Sequence, residues 1–287
     1  MGKLKASSAH SPSPAESPAV RFPPLPTLTN LGLIGLLFGL AVVSWALTDQ
    51  RMAGMDAGPG TDPGALGFYL ITWVVMMAAM MFPSIAPMVL VYSRIQRGKR
   101  ERGLPVAIGS TLAFVAGYLL TWTAAGLVFY GLLAAVRAPD FGALTWDQAG
   151  RYVAGGVIAA AGLYQFTPFK LTCLTKCRDP FLFLLSSWRS GRTGALRMGI
   201  KHGAWCVGCC WALMAALFAL GVMSFGWMAF IAALIAIEKL LPWKTIANRG
   251  IAIVLLVLGI CVAFVPDKVP GLTIPGPADD RAVMVDM

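Results

Sequence analysis

The stretch LGFYLITWVVMMAAMMFPSIAPMVLVY, residues 66–92, runs for 27 positions without a charged side chain. A helix that crosses a bilayer needs about 20 mainly apolar residues, because hydrocarbon offers no partner to an open backbone N–H or C=O. This run meets that need by itself, and it lacks the apolar/polar alternation of a membrane barrel strand. Comparable runs lie at residues 31–47, 106–136, 152–169, 200–222, 225–241 and 251–265. The first and last are short, and residues 223–226 make a very tight hinge between the fifth and sixth. The pattern predicts an all-α fold, a polytopic transmembrane helix bundle of about seven spans, with six or eight as the alternatives.

The composition of the 287 residues agrees. Hydrophobic residues make up 57% and charged ones 13%, with mean hydropathy +0.72 and net charge +10. A soluble domain carries roughly a quarter charged residues, so a soluble enzyme, a nucleic-acid-binding domain and a disordered chain are all excluded. With seven spans and a cytoplasmic N-terminus, 18 of the 23 Lys and Arg fall on the inner side beside four of the 13 Asp and Glu. The outer side then holds five basic residues and nine Asp. This is the asymmetry of the positive-inside rule, so the charge reports orientation in a bacterial inner membrane, with the C-terminus periplasmic, and no nucleic-acid partner.

Residues 1–27, rich in Ser and Pro, read as a disordered cytoplasmic tail, 28–266 as the transmembrane helical domain and 267–287 as an exposed Pro-rich tail. Ser44-Trp45-Ala46 has the look of a signal-cleavage site, but thirty residues before the apolar run is too long an n-region, so that run is kept as a span. No internal repeat supports an inverted-repeat transporter.

Five of the six cysteines lie between positions 173 and 210. Cys173 and Cys177 fall in LTCLTKCRDP, read as a cytoplasmic loop after the fourth span. Cys206, Cys209 and Cys210 fall in KHGAWCVGCCW, within the first turns of the fifth. At 100° per residue, His202, Cys206, Cys209 and Cys210 share an arc of about 100° on one helix face. Thiolates with imidazole suit copper(I), zinc or an iron–sulfur cluster. The alternative is packing, since cysteine is a small hydrophobe common in apolar helices, and Cys261 fits that reading. Disulfides are disfavoured on the cytoplasmic side, where thiols stay reduced.

Met76, Met77, Met80 and Met81 form a second group, ahead of Pro83, Pro87 and Met88. Thioethers are soft, uncharged ligands that prefer copper(I) to zinc, while methionine stripes also serve as flexible core filler. Each proline removes a helical hydrogen bond and is expected to open the backbone there. Depth joins the two groups: Met80 lies ~18 Å, and Cys206–Cys210 ~9–15 Å, from the cytoplasmic side by helix rise. Glu238 and Lys239 end the sixth span on that side, and Glu238 reads as a hard ligand, a proton carrier or half of an interfacial pair with Lys239. On the outer side Met52 and Met55, beside Asp49 and Asp56, form a weaker copper-capture motif.

The segments WVVMMAAMMFPSIAPM, GLYQFTPFKLTCLTKCRDP and GIKHGAWCVGCCWALM…EKLLPW resemble the bacterial family of predicted metal-binding integral membrane proteins (domain of unknown function 2182) over about residues 69–265. The specific strings are Cys-x-x-x-Cys-Arg-x-Pro and Cys-x-Gly-Cys-Cys-Trp. The resemblance implies metal binding, copper above all, and carries the family's characteristic residues onto Met76, Met80, Met81, Pro83, Lys170, Cys173, Cys177, Arg178, His202, Cys206, Cys209, Cys210, Trp211, Met214, Glu238 and Lys239.

The expected metal ligands are therefore Cys173, Cys177, His202, Cys206, Cys209, Cys210, Met76, Met77, Met80, Met81, Met214 and Glu238. The expected function is copper(I) handling, by transport or delivery, with zinc as the other metal. The partners are the lipid bilayer, the metal ion, and a periplasmic metal carrier or membrane metalloenzyme. A thiol redox protein and a structural subunit stapled by metal are the alternatives. No P-loop, nucleotide fingerprint or H-E-x-x-H marks an enzyme.

Overall fold

Glycine sets how closely the helices meet. In the computed structural model, which describes residues 28–53, 64–137, 146–222, 224–241 and 243–274, nine α-helices follow one another: α1 Leu28–Met52, α2 Leu66–Glu101, α3 Ser110–Arg137, α4 Arg151–Tyr164, α5 Pro168–Arg178, α6 Pro180–Ser187, α7 Gly191–Leu220, α8 Phe225–Leu240 and α9 Lys244–Phe264. A Cβ on Gly199 of α7 would run into the Phe114 carbonyl of α3, and one on Gly117 into the Leu196 carbonyl. Gly155 and Gly259 bring α4 against α9 in the same way. Where lipid supplies no hydrophobic drive between helices, such close backbone approach is what holds them together.

The fold is an all-α helical bundle, as the sequence predicts. Five helices, α1, α2, α3, α7 and α9, are long and apolar enough to cross a membrane. The other two expected spans are shorter: α8 has 16 residues, and α4 has 14 preceded by a π turn at Trp146–Gly150. Large apolar side chains face outward on the outer helices, among them Val42, Leu112 and Phe264. In water such a surface would drive aggregation; against acyl chains it is ordinary.

The core lies between α2, α3, α7 and α8. Trp73 of α2 donates through Nε1 to the Trp122 carbonyl of α3 at 2.8 Å, and its ring stacks on Phe218 of α7 at 5.8 Å. At 36 residues, α2 is about 54 Å long by helix rise, so its basic end stands beyond a hydrocarbon core of about 30 Å. It continues through both Pro83 and Pro87 rather than opening there.

Two sequence expectations about the cysteines are corrected here. Cys173 and Cys177 lie on α5, not in a loop. Thr167 caps that helix by accepting from the Lys170 N–H, and Pro168 sits at its first position, where a missing N–H costs nothing. Cys206, Cys209 and Cys210 lie in the middle of α7, not in its first turns, because the helix begins at Gly191 with Arg192, Arg197 and Lys201 on its opening turns. After α9 the described chain runs to Ile274, with Val269 buried and Trp227 donating to the Gly271 carbonyl at 3.0 Å; residues 275–287 lie outside the described residues. Residues 1–27, Met55 and Asp56 lie outside the described residues.

Candidate metal centre

The centre is assembled by α5 docking on α7. Lys170, Cys173, Leu174 and Cys177 recur at three- and four-residue spacing and so share one face of α5. The first three are buried and Cys177 is half-buried. On α7 the facing position is Gly208: a Cβ there would lie 2.9 Å from the Cys173 sulfur, so the gap in the side-chain row lets α5 approach. Tyr164 at the end of α4 donates to the Gly208 carbonyl at 2.6 Å and fixes the same contact.

This docking brings Cys177 to Cys206 and Cys209, with the three sulfurs all within 4.8 Å of one another. Among the described residues no other group of His, Cys, Asp and Glu converges in this way. Cys210 stands next to the group, its sulfur 3.4 Å from that of Cys209. The six cysteines are free thiols.

Two buried lysines serve the centre from opposite sides. Lys239 of α8 donates to the Cys206 sulfur at 2.9 Å, and the Tyr118 hydroxyl of α3 lies 3.1 Å from the same sulfur. Lys170 of α5 pairs with Glu238 at 2.5 Å and donates to the Cys209 carbonyl, also at 2.5 Å. The Glu238–Lys239 pair, one of the three readings of Glu238, is therefore not formed. Adjacent helical residues point about 100° apart and cannot face each other, so one turns to α5 and the other to the thiols. Arg178, the last residue of α5, donates to the Glu238 and Leu241 carbonyls. It thereby satisfies carbonyls that a helix end leaves open, and it fixes the end of α8 to α5.

The remaining expected ligands are placed as follows. His202 is buried but stands outside the thiol group, among the rings of Phe114, Tyr118 and Phe183 at 6.0, 5.9 and 5.1 Å. Cys173 faces Gly208, and Glu238 is held by Lys170; neither joins the thiol group. Met76, Met77, Met80, Met81 and Met214 are all buried in the core. A short polar path joins Met81 to the centre. The Ser84 hydroxyl lies 3.9 Å from the Met81 sulfur and 3.5 Å from the Lys239 ammonium, which holds Cys206. Met52, the last residue of α1, is also buried in the core. A small cleft of about 20 Å³, bordered by Ser84, Met88, Cys177, Arg178 and Lys239, lies beside the centre.

Sequence reasoning from the residues missed Tyr118 and the separate roles of the two lysines. A signal for each lysine was present: Lys239 ends an apolar helix, where a buried ammonium needs a partner, and Lys170 stands three and seven residues before Cys173 and Cys177.

Three thiols converging inside a helical bundle are a donor set able to hold a soft metal ion. The chain belongs to the PpoB2 family, described as a copper chaperone, whose match covers residues 70–262. That copper description agrees with the metal-binding family its motifs resemble. No curated protein and no solved structure matches it.

Proposed function

We propose that this chain is a copper(I) carrier of the bacterial inner membrane, taking the ion as cargo at Cys177, Cys206 and Cys209 and passing it to another protein. The observation that carries the reading is the convergence of three thiols from two helices, held beside a buried ammonium. Soft thiolates select copper(I). A closed zinc site needs four ligands; three sulfurs converge, while Cys210 meets Cys209 but stands outside the mutual 4.8 Å group and His202 lies among aromatic rings. Lys239 offsets one thiolate charge, which lowers the cost of burying an anionic copper–thiolate unit. Membership of a copper chaperone family supports the choice of metal.

Exchange proceeds through the half-buried thiol. Cys177 lines the cleft, whereas Cys206 and Cys209 are fully buried, so Cys177 is the ligand an incoming donor meets first. The ion moves by ligand exchange: one sulfur bond forms as another breaks, with no change in oxidation state. The thioethers of α2, reached through Ser84, supply a weaker soft site on the same route.

Copper analysis of the purified full chain under reducing conditions tests this. The wild type retains close to one copper(I) per chain, Cys177→Ser/Cys206→Ser/Cys209→Ser retains none, and His202→Phe retains the full amount. Equal copper in the triple variant overturns the assignment. A reversible disulfide trapped among these cysteines in intact cells, with no bound metal, replaces it with the thiol redox reading.

A further inference from the structure

A second polar concavity lies away from the thiols, where the end of α6 meets the first turns of α7. It is a cleft of about 220 Å³ bordered by Ser186, Ser187, Trp188, Arg189, Arg197 and Lys201. That is several times the roughly 30 Å³ share of one liquid water. Lys201 donates to the Ser187 hydroxyl at 2.9 Å, which leaves two of its three ammonium protons free. Lys99 of α2 sits 4.1 Å over the Trp188 ring and brings a fourth cation to the rim. Among the described residues no carboxylate pairs with Arg189, Arg197 or Lys201.

Three cations around one cleft, with no counter-ion from the protein, match the chemistry of a phosphate group: guanidinium forks fit its oxygens, and the ammonium adds further donors. The surroundings name its source. On α6, immediately before the cleft, Phe181, Leu182 and Leu185 are exposed at 64%, 51% and 85%. A free anion has no use for this apolar ridge; the acyl chains of a lipid do. We propose that the cleft binds the headgroup of an anionic phospholipid, with its tails lying along the outer face of α6. Basic pockets between helices at a membrane surface recognise such headgroups. The site is independent of copper, since none of its residues touches the thiol centre.

The test uses the full chain purified in detergent, with phosphatidylglycerol, phosphatidylcholine or inorganic phosphate added. Phosphatidylglycerol should raise the unfolding midpoint by about 3 °C over phosphatidylcholine. Arg189→Gln/Arg197→Gln/Lys201→Gln should abolish that difference, and Arg94→Gln/Arg100→Gln/Arg102→Gln on the exposed end of α2 should preserve it. Because the difference is taken within each variant, a lower baseline midpoint does not obscure it. If the cleft triple fails to fold, the single Arg197→Gln variant should still lose a clear part of the difference. Equal loss in both triples means general surface charge and overturns the proposal. So does an undiminished difference in the cleft variants. Full stabilisation by inorganic phosphate alone overturns the lipid assignment in favour of a free anion.

Discussion

Lys239 is the residue on which the chemistry of the centre turns. Its ammonium meets the Cys206 sulfur inside the bundle, so removing the charge leaves a copper–thiolate unit without its counter-ion. Lys239→Met should weaken copper(I) binding at least about tenfold, equivalent to about 1.4 kcal/mol, and Lys239→Arg should keep most of it. Competition against a chromophoric copper(I) chelator reads both. The neighbouring pair behaves differently. Lys170 and Glu238 are both buried and tied at 2.5 Å. Taking away one partner strands the other's charge, at about 3–5 kcal/mol. Lys170→Met should therefore unfold at clearly lower denaturant, and Lys170→Met/Glu238→Leu should recover most of the loss. A double variant no better than the single would show that the ion pair is not what the single removed. At this scale the sequence was legible in part. Cys177, Cys206 and Cys209 were identifiable by their type and clustering. His202 was not separable from them, because helical spacing puts it on their face and only the rings of Phe114 and Tyr118 from α3 and Phe183 from α6, packed around it, set it apart.

Among the elements, α5 decides whether a centre exists. Its sequence, PFKLTCLTKCR, is too short and too polar to announce itself by hydropathy, which is why it reads as a loop. The signals for it were the Thr167-Pro168 start and the Asp179-Pro180 stop, each a cap followed by a proline at the first helical position. The long helices were legible from apolar runs; their ends were not. α7 starts at Gly191, nine residues before its apolar run, because basic side chains extend a helix past the hydrocarbon without any hydropathic mark. The docking of α5 rests on Gly208. Gly208→Ala places a methyl 2.9 Å from the Cys173 sulfur and should push Cys177 away from its two partners, lowering copper(I) retention. Adding Cys173→Ala should restore it. Failure of that rescue would mean that Gly208 acts otherwise than by making room for α5.

For the whole molecule, apolar content foretold the membrane bundle, and the charge asymmetry foretells its orientation. The basic end of α2, from Arg94 to Arg102, is proposed to face the cytoplasm. Arg100→Cys should react with a membrane-impermeant thiol reagent only after cells are opened, while labelling of intact cells that lack an outer membrane would reverse the orientation. The arrangement of helices was beyond the sequence, because glycines such as Gly117, Gly155 and Gly199 read as neutral residues until a neighbouring backbone is seen against them.

The three thiols come from different helices: one from α5 and two from α7, with α6 between them in the chain. Occupancy of the centre and the seating of α5 are therefore a single equilibrium seen from its two ends. An ion bound across the seam holds α5 down by RT ln(1 + [L]/Kd), and anything that lifts α5 must loosen the ion by the same free energy. If the chain is the carrier proposed above, a receiving protein that grips the α5 surface needs no stronger ligand than these thiols. On that carrier role, leaning on the helix would unload the cargo, and loss of the ion would leave the seating of α5 weaker by the same free energy.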